Sequence, residues 1–106
     1  LPTSRNNGCL AVIPGSHQDG LLTHSTPDWD YLNHGFFGIE EIDIGRRVHV
    51  EMQPGDTLLF HPLLIHGSGR NRTEEFRRAI SVHYAAAHCE SPKGDWQSKP
   101  QVRPIR

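Results

Sequence analysis

The residues best suited to chemistry lie in the segment HPLLIHGSGRNRTEEFRR, from His61 to Arg78. Two imidazoles, His61 and His66, stand five positions apart, with Pro62, Leu63, Leu64 and Ile65 between them. An imidazole that closes so apolar a run is expected to be partly desolvated and suited to giving a lone pair to a metal. The plainer alternative is a ring that ends a strand and bonds a loop carbonyl. Gly67 and Gly69 flank Ser68 and remove side chains on either side, which leaves room for a ligand to approach the backbone. Arg77 follows His66 by eleven residues. A fixed guanidinium at a strand start offers a planar fork of donors, a better match to a dicarboxylate than a Lys ammonium. Glu74, Glu75 and Arg78 surround it, so a solvated Arg in a charged turn is the competing reading.

Short strands must position these groups. Residues 9–13 follow the turn pair Asn7-Gly8, suit a buried strand, and end at Pro14-Gly15. Val48, Val50 and Met52 alternate with His49, Glu51 and Gln53, the period of a half-buried strand. Pro54-Gly55-Asp56 is a turn. Residues 57–61 form a further strand with Leu58 and Phe60 on one face, and residues 67–75 a polar turn. Residues 77–87 form a last strand with Ile80, Val82 and Tyr84 on one side. Residues 18–45 are polar and read as a long loop carrying Trp29, Tyr31, His34, Phe36 and Phe37, which either cover a ligand or pack within the loop itself. No segment has convincing helical periodicity. Four short strands joined by Gly/Pro turns indicate a mainly all-β domain, a sandwich or barrel. From residue 90 the chain is a polar tail.

With 106 residues and 35% hydrophobic content, the chain is one domain at most. Its core is expected to need more chain, and a first residue other than Met fits an excerpt. A net charge of −1 points away from nucleic acid and anionic membranes. There is no apolar run long enough for a membrane-spanning helix. Cys9 and Cys89 lie far apart and are expected to be reduced. Eight histidines raise the chance of a metal site. His49 and His83 fall on the polar faces of strands and read as structural; His61 either is structural too or supports the site from behind its ligands. Asp56 belongs to its turn.

Three stretches, NGCLAVIPGSH, GDTLLFHPLLIHGSGRNRT and FRRAISVHYAAAHC, together resemble the phytanoyl-CoA dioxygenase family. The match runs from about Ser4 to Cys89 and does not extend into residues 90–106. The resemblance implies that residues 1–89 are the C-terminal portion of a double-stranded β-helix, the jelly-roll or cupin-like barrel, with a long loop. It implies an Fe(II)- and 2-oxoglutarate-dependent hydroxylase of a branched acyl-CoA at its 2-position, with ascorbate as a further candidate cofactor and O2 as co-substrate. Two His and one carboxylate hold the iron in such enzymes. By the match His66 is one iron ligand, Arg77 pairs with the distal carboxylate of 2-oxoglutarate, and Ser68 bonds near it. The family's His-x-Asp pair precedes the Asn7-Gly8-Cys9-Leu10 block and is not in this chain, so the chain by itself is expected to be inactive. His17-Gln18-Asp19 imitates that pair, but Pro14-Gly15-Ser16-His17 has its own later place in the family pattern. Arg46, Arg47, Arg70 and Arg72 either meet coenzyme A phosphates or are simply solvated. The resemblance places the protein in the peroxisome; no targeting signal is visible, and the cytoplasm is the alternative. A non-catalytic interaction module and an oxygenase of another small molecule stay open. Oligomeric state is not legible.

Overall fold

The structure, a computed structural model, describes residues 1–25, 38–39 and 42–89. Its strands are β1 (Leu10–Val12), β2 (His24–Ser25), β3 (Gly38–Ile39), β4 (Val48–Val50) and β5 (His66–Ser68), with single 3-10 turns at Ser16–Asp19 and Ile44–Arg46. All-β character therefore holds among the described residues, and neither sheet closes on itself. The aromatics Trp29, Tyr31, His34, Phe36 and Phe37 and the tail from residue 90 lie outside the described residues. Part of the expected long loop is a short antiparallel pair, with His24 opposite Ile39.

The main sheet has the order β4-β1-β5, antiparallel throughout. Val12 lies opposite Val48 on one side and His66 on the other; Ala11 lies between His49 and Gly67. Directly paired residues share a face, and successive residues alternate faces. His66 and Ser68 therefore share a face with Leu10, Val12, Val48 and Val50, while His49 and Gly67 share the other with Ala11. The backbone amide of Ile13 donates to the Ile65 carbonyl at 2.9 Å, carrying the β1–β5 pairing one step further.

Turn chemistry fixes where β1 begins and ends. Gly8 holds φ +80°, and the Cys9 amide donates to the Ser4 carbonyl at 2.8 Å. Asn7 clamps that turn: its Oδ1 accepts from the Ser4 amide and its Nδ2 donates to the Pro2 carbonyl. Beyond the turn, Thr3 bridges Met52, so the N-terminal residues prolong the edge of β4. After β1 the chain enters the 3-10 turn at Ser16, whose buried hydroxyl accepts from the Ile65 amide at 2.9 Å. Between residues 53 and 56 the turn expected at Pro54-Gly55-Asp56 forms, with Asp56 Oδ2 accepting from the Gln53 amide.

Two expected strands are absent as ladders. Residues 57–61 and 77–87 keep the sequence alternation of strands but join no strand ladder among the described residues. A strand is stable only against a partner, and most apolar side chains here are bare: Leu59 is 82% and Ile80 95% exposed. Among the described residues the buried side chains are few, namely Cys9, Ile13 and Ser16.

Candidate functional site

His66 opens β5. Its Nδ1 lies 2.7 Å from the Leu64 carbonyl. A carbonyl only accepts, so Nδ1 carries the proton in this contact and Nε2 of the neutral ring keeps its lone pair. The ring also rests against Phe60, with centroids 4.9 Å apart. His61 is set the other way: its Nδ1 accepts from the Leu63 amide at 3.1 Å. Of the two histidines in the motif, His66 is the one whose outer nitrogen is poised to donate to a cation while its inner nitrogen is anchored, the arrangement that orients metal-ligating histidines.

The desolvation expected of His66 does not occur. Leu63, Leu64 and Ile65 are half-buried, but the histidine is exposed. Strand alternation is the reason: Ile65 pairs with Ile13 and its amide bonds Ser16, whereas His66 emerges on the Val12 face and stays exposed there beside the Phe60 ring.

Ser68 lies two residues on, on the same face and opposite Leu10. Arg77 is elsewhere. It is the single half-buried residue between Arg70 and Cys89, so its side chain turns inward from an exposed segment. Its charge acts on the Cys9 thiol. Cys9 has the parity of Ala11 and His49, and its Sγ contacts His49 Nδ1 at 3.9 Å. Burial pushes the Cys9 thiol up, Glu51 adds to the rise, and Arg5 and Arg77 partly offset it. The chain thus brings His66 and Ser68 together and does not join Arg77 to them by any hydrogen bond among the described residues. Cys9 is buried and Cys89 exposed, and no disulfide joins them.

The His17-Gln18-Asp19 sequence sits in the 3-10 turn, where side chains two apart diverge. The His17 ring meets His61, 5.4 Å away, instead of converging with Asp19. Among the described residues no group of three His, Cys, Asp or Glu could enclose a metal ion.

A groove of about 720 Å³ runs along the sheet and is lined by His66, Ser68 and four arginines: Arg5, Arg47, Arg70 and Arg72. Three of these belong to the basic set noted in the sequence. Arg46 does not join them; it lines a separate hollow with Asp19 and Asp43. Arg5 escaped notice because nothing in its local sequence marks it; only the docking of the Asn7-Gly8 turn on residues 69–72 brings it there. Phe60, the ring under His66, was likewise not identifiable without coordinates.

The family model for phytanoyl-CoA dioxygenase matches residues 2–79. The chain belongs to the phytanoyl-CoA dioxygenase family. Among its relatives in that family, a probable phytanoyl-CoA dioxygenase of Caenorhabditis elegans is 57% identical over 84 residues, 77% of this chain and 27% of the relative. The peroxisomal phytanoyl-CoA dioxygenase of Homo sapiens is 53% identical over 88 residues, 81% of this chain and 26% of that protein. A third, the peroxisomal phytanoyl-CoA dioxygenase of Rattus norvegicus, is 53% identical over 97 residues, covering 88% and 29%. The chain thus spans between a quarter and a third of the length of these relatives. No solved structure gives a significant match.

Proposed function

We propose that this chain supplies part of the active site of an Fe(II)- and 2-oxoglutarate-dependent hydroxylase that acts at the 2-position of phytanoyl-CoA or a similar branched acyl-CoA. The observation that carries the reading is the arrangement of β5 in a chain of this family: His66, with Nδ1 anchored on Leu64, and Ser68 beside it on one face and in one groove.

His66 fits as a single Fe(II) donor through Nε2. The remaining donors come from other parts of the protein, since one imidazole cannot hold Fe(II) against water. Bound Fe(II), with 2-oxoglutarate and O2, would supply the oxidising power for hydroxylation, with ascorbate as a supporting reductant. The chain's own residues bind and orient. The Ser68 hydroxyl donates to a carboxylate oxygen of 2-oxoglutarate. Arg77 pairs with the distal carboxylate through two parallel N–H···O bonds, which fix both position and angle. That pairing requires Arg77 to reach the His66 side of the site once residues 77–87 gain a strand partner. The fold proposed for the whole protein is the double-stranded β-helix, with β4-β1-β5 in one sheet and residues 57–61 and 77–87 as strands of the other. The peroxisomal names of the mammalian relatives support that compartment.

The test is turnover. 2-Oxoglutarate consumption by the full protein should rise with phytanoyl-CoA and not with free phytanic acid. Arg77→Ala should raise the KM for 2-oxoglutarate roughly 10- to 100-fold, the range expected for losing a charge-assisted pair. An unchanged KM would show that the anchor is another residue. The competing reading, an interaction module without iron, is favoured if the full protein binds no Fe(II) at all.

A further inference from the structure

We infer that the arginine-lined groove beside β5 receives the phosphate groups of a coenzyme A thioester, so that substrate lies along the sheet with its phosphates on Arg5, Arg47, Arg70 and Arg72 and its other end toward His66. The inference deepens the proposed function and rests on it for the identity of the substrate.

Charge is the first support. The chain as a whole carries −1, yet this groove has four arginines and no Asp or Glu among its described lining residues. Four guanidiniums around one depression repel each other at a cost that an anion removes. A planar guanidinium also matches phosphate oxygens in pairs, which an ammonium does not. Glu51, which is not among the lining residues, has Oε1 accepting from the Arg5 amide at 3.0 Å, so it binds that backbone group.

Construction is the second support. The arginines are gathered by backbone contacts far apart in sequence. The Arg72 amide donates to the Asn6 carbonyl at 2.8 Å, which docks the 69–72 segment on the N-terminal turn. Gly8 makes that docking possible: a Cβ there would stand 2.5 Å from the Gly69 carbonyl oxygen. Arg47 is tied across its own turn by Nη1 donating to the Ile44 carbonyl. Ile13, Ile44 and Ile65 add apolar surface to the same groove, suited to the uncharged arm between phosphates and thioester. Gly67 and Gly69 have open space where a Cβ would be, so the strand backbone bordering the groove is accessible.

The experiment measures binding of coenzyme A, ADP and pantetheine to the full protein by calorimetry, together with the KM for phytanoyl-CoA and for phytanoyl-pantetheine. Coenzyme A carries phosphates and arm, ADP phosphates alone, and pantetheine the arm alone. Coenzyme A should bind tightest. Arg70→Gln with Arg72→Gln should weaken it about tenfold per arginine at low salt, and less as salt screens the charges. The same pair should raise the KM for phytanoyl-CoA, leave kcat, and not alter the KM for phytanoyl-pantetheine. Arg46→Gln, on the separate hollow, should change neither. Equal binding of coenzyme A and pantetheine, an ADP as tight as coenzyme A, or a double variant with unaltered affinity overturns the inference. If coenzyme A binds through these arginines but no 2-oxoglutarate is consumed, the hydroxylase reading fails and the groove stands. If turnover occurs with a KM indifferent to the arginines, the groove alone fails.

Discussion

His66 holds its ring by a bond from Nδ1 to the carbonyl two residues back, and this small loop leaves Nε2 for a cation. His66→Gln keeps a polar side chain of similar reach but loses the imidazole lone pair. In the full protein it should abolish Fe(II) retention on equilibrium dialysis while far-UV circular dichroism stays unchanged. Cys9 supplies a pH prediction. Burial raises its thiol, so folding favours the protonated form; that contribution is intact below the ordinary thiol range and is lost as pH rises through the raised value. Urea midpoints should therefore fall at alkaline pH, and Cys9→Ala should flatten that fall whatever its effect at neutral pH. An identical alkaline slope in the variant would assign the loss to other groups. At this scale the sequence was partly sufficient. His66 and Ser68 were linked by the family resemblance, not by strand alternation, which the turn-like Gly67-Ser68-Gly69 conceals; the structure puts them on one face of β5. Their exposure could not be read, since that depends on what covers the Val12 face. Arg77 was recognisable by spacing, but spacing carries no information on which side of the sheet the guanidinium lies.

At the scale of elements, the glycines divide into two kinds. Gly8 has positive φ and a carbonyl at 2.5 Å from any Cβ, so Gly8→Ala should lower stability by about 1–3 kcal/mol in urea denaturation. Gly67 lies in β5 with nothing near its missing Cβ, so Gly67→Ala should change stability by no more than about 0.5 kcal/mol. Finding the two variants equally stable would contradict the docking of the first turn on residues 69–72. β1 and β4 were legible because turn residues bracket one and strict alternation marks the other. β5 was not: Gly67-Ser68-Gly69 has the composition of a turn, and it becomes a strand because the Ile13–Ile65 pairing sets its register against β1. Residues 57–61 and 77–87 fail in the opposite sense. Their alternation is real, yet alternation specifies only that one face seeks a partner, and no strand among the described residues supplies one.

At the scale of the molecule, several apolar side chains between residues 59 and 84 face outward: Leu59 is 82% and Tyr84 68% exposed, besides Phe76 and Ile80. Surfaces of this kind seek cover. The 106-residue chain expressed alone should bind a hydrophobic dye strongly and elute from size exclusion as more than a monomer; a dye-silent monomer would mean that these side chains are satisfied internally. The same exposure agrees with a chain that spans under a third of the relatives named above, and it is the physical form of the low apolar content seen in the sequence. The central claim is that iron chemistry on a branched acyl-CoA depends on His66. Its most direct measurement is 2-oxoglutarate consumption by the full protein, with Fe(II), in the presence and absence of phytanoyl-CoA, for the natural chain and His66→Gln. We expect consumption that rises with phytanoyl-CoA in the natural chain and is lost in the variant. Equal, substrate-stimulated consumption by both would contradict it.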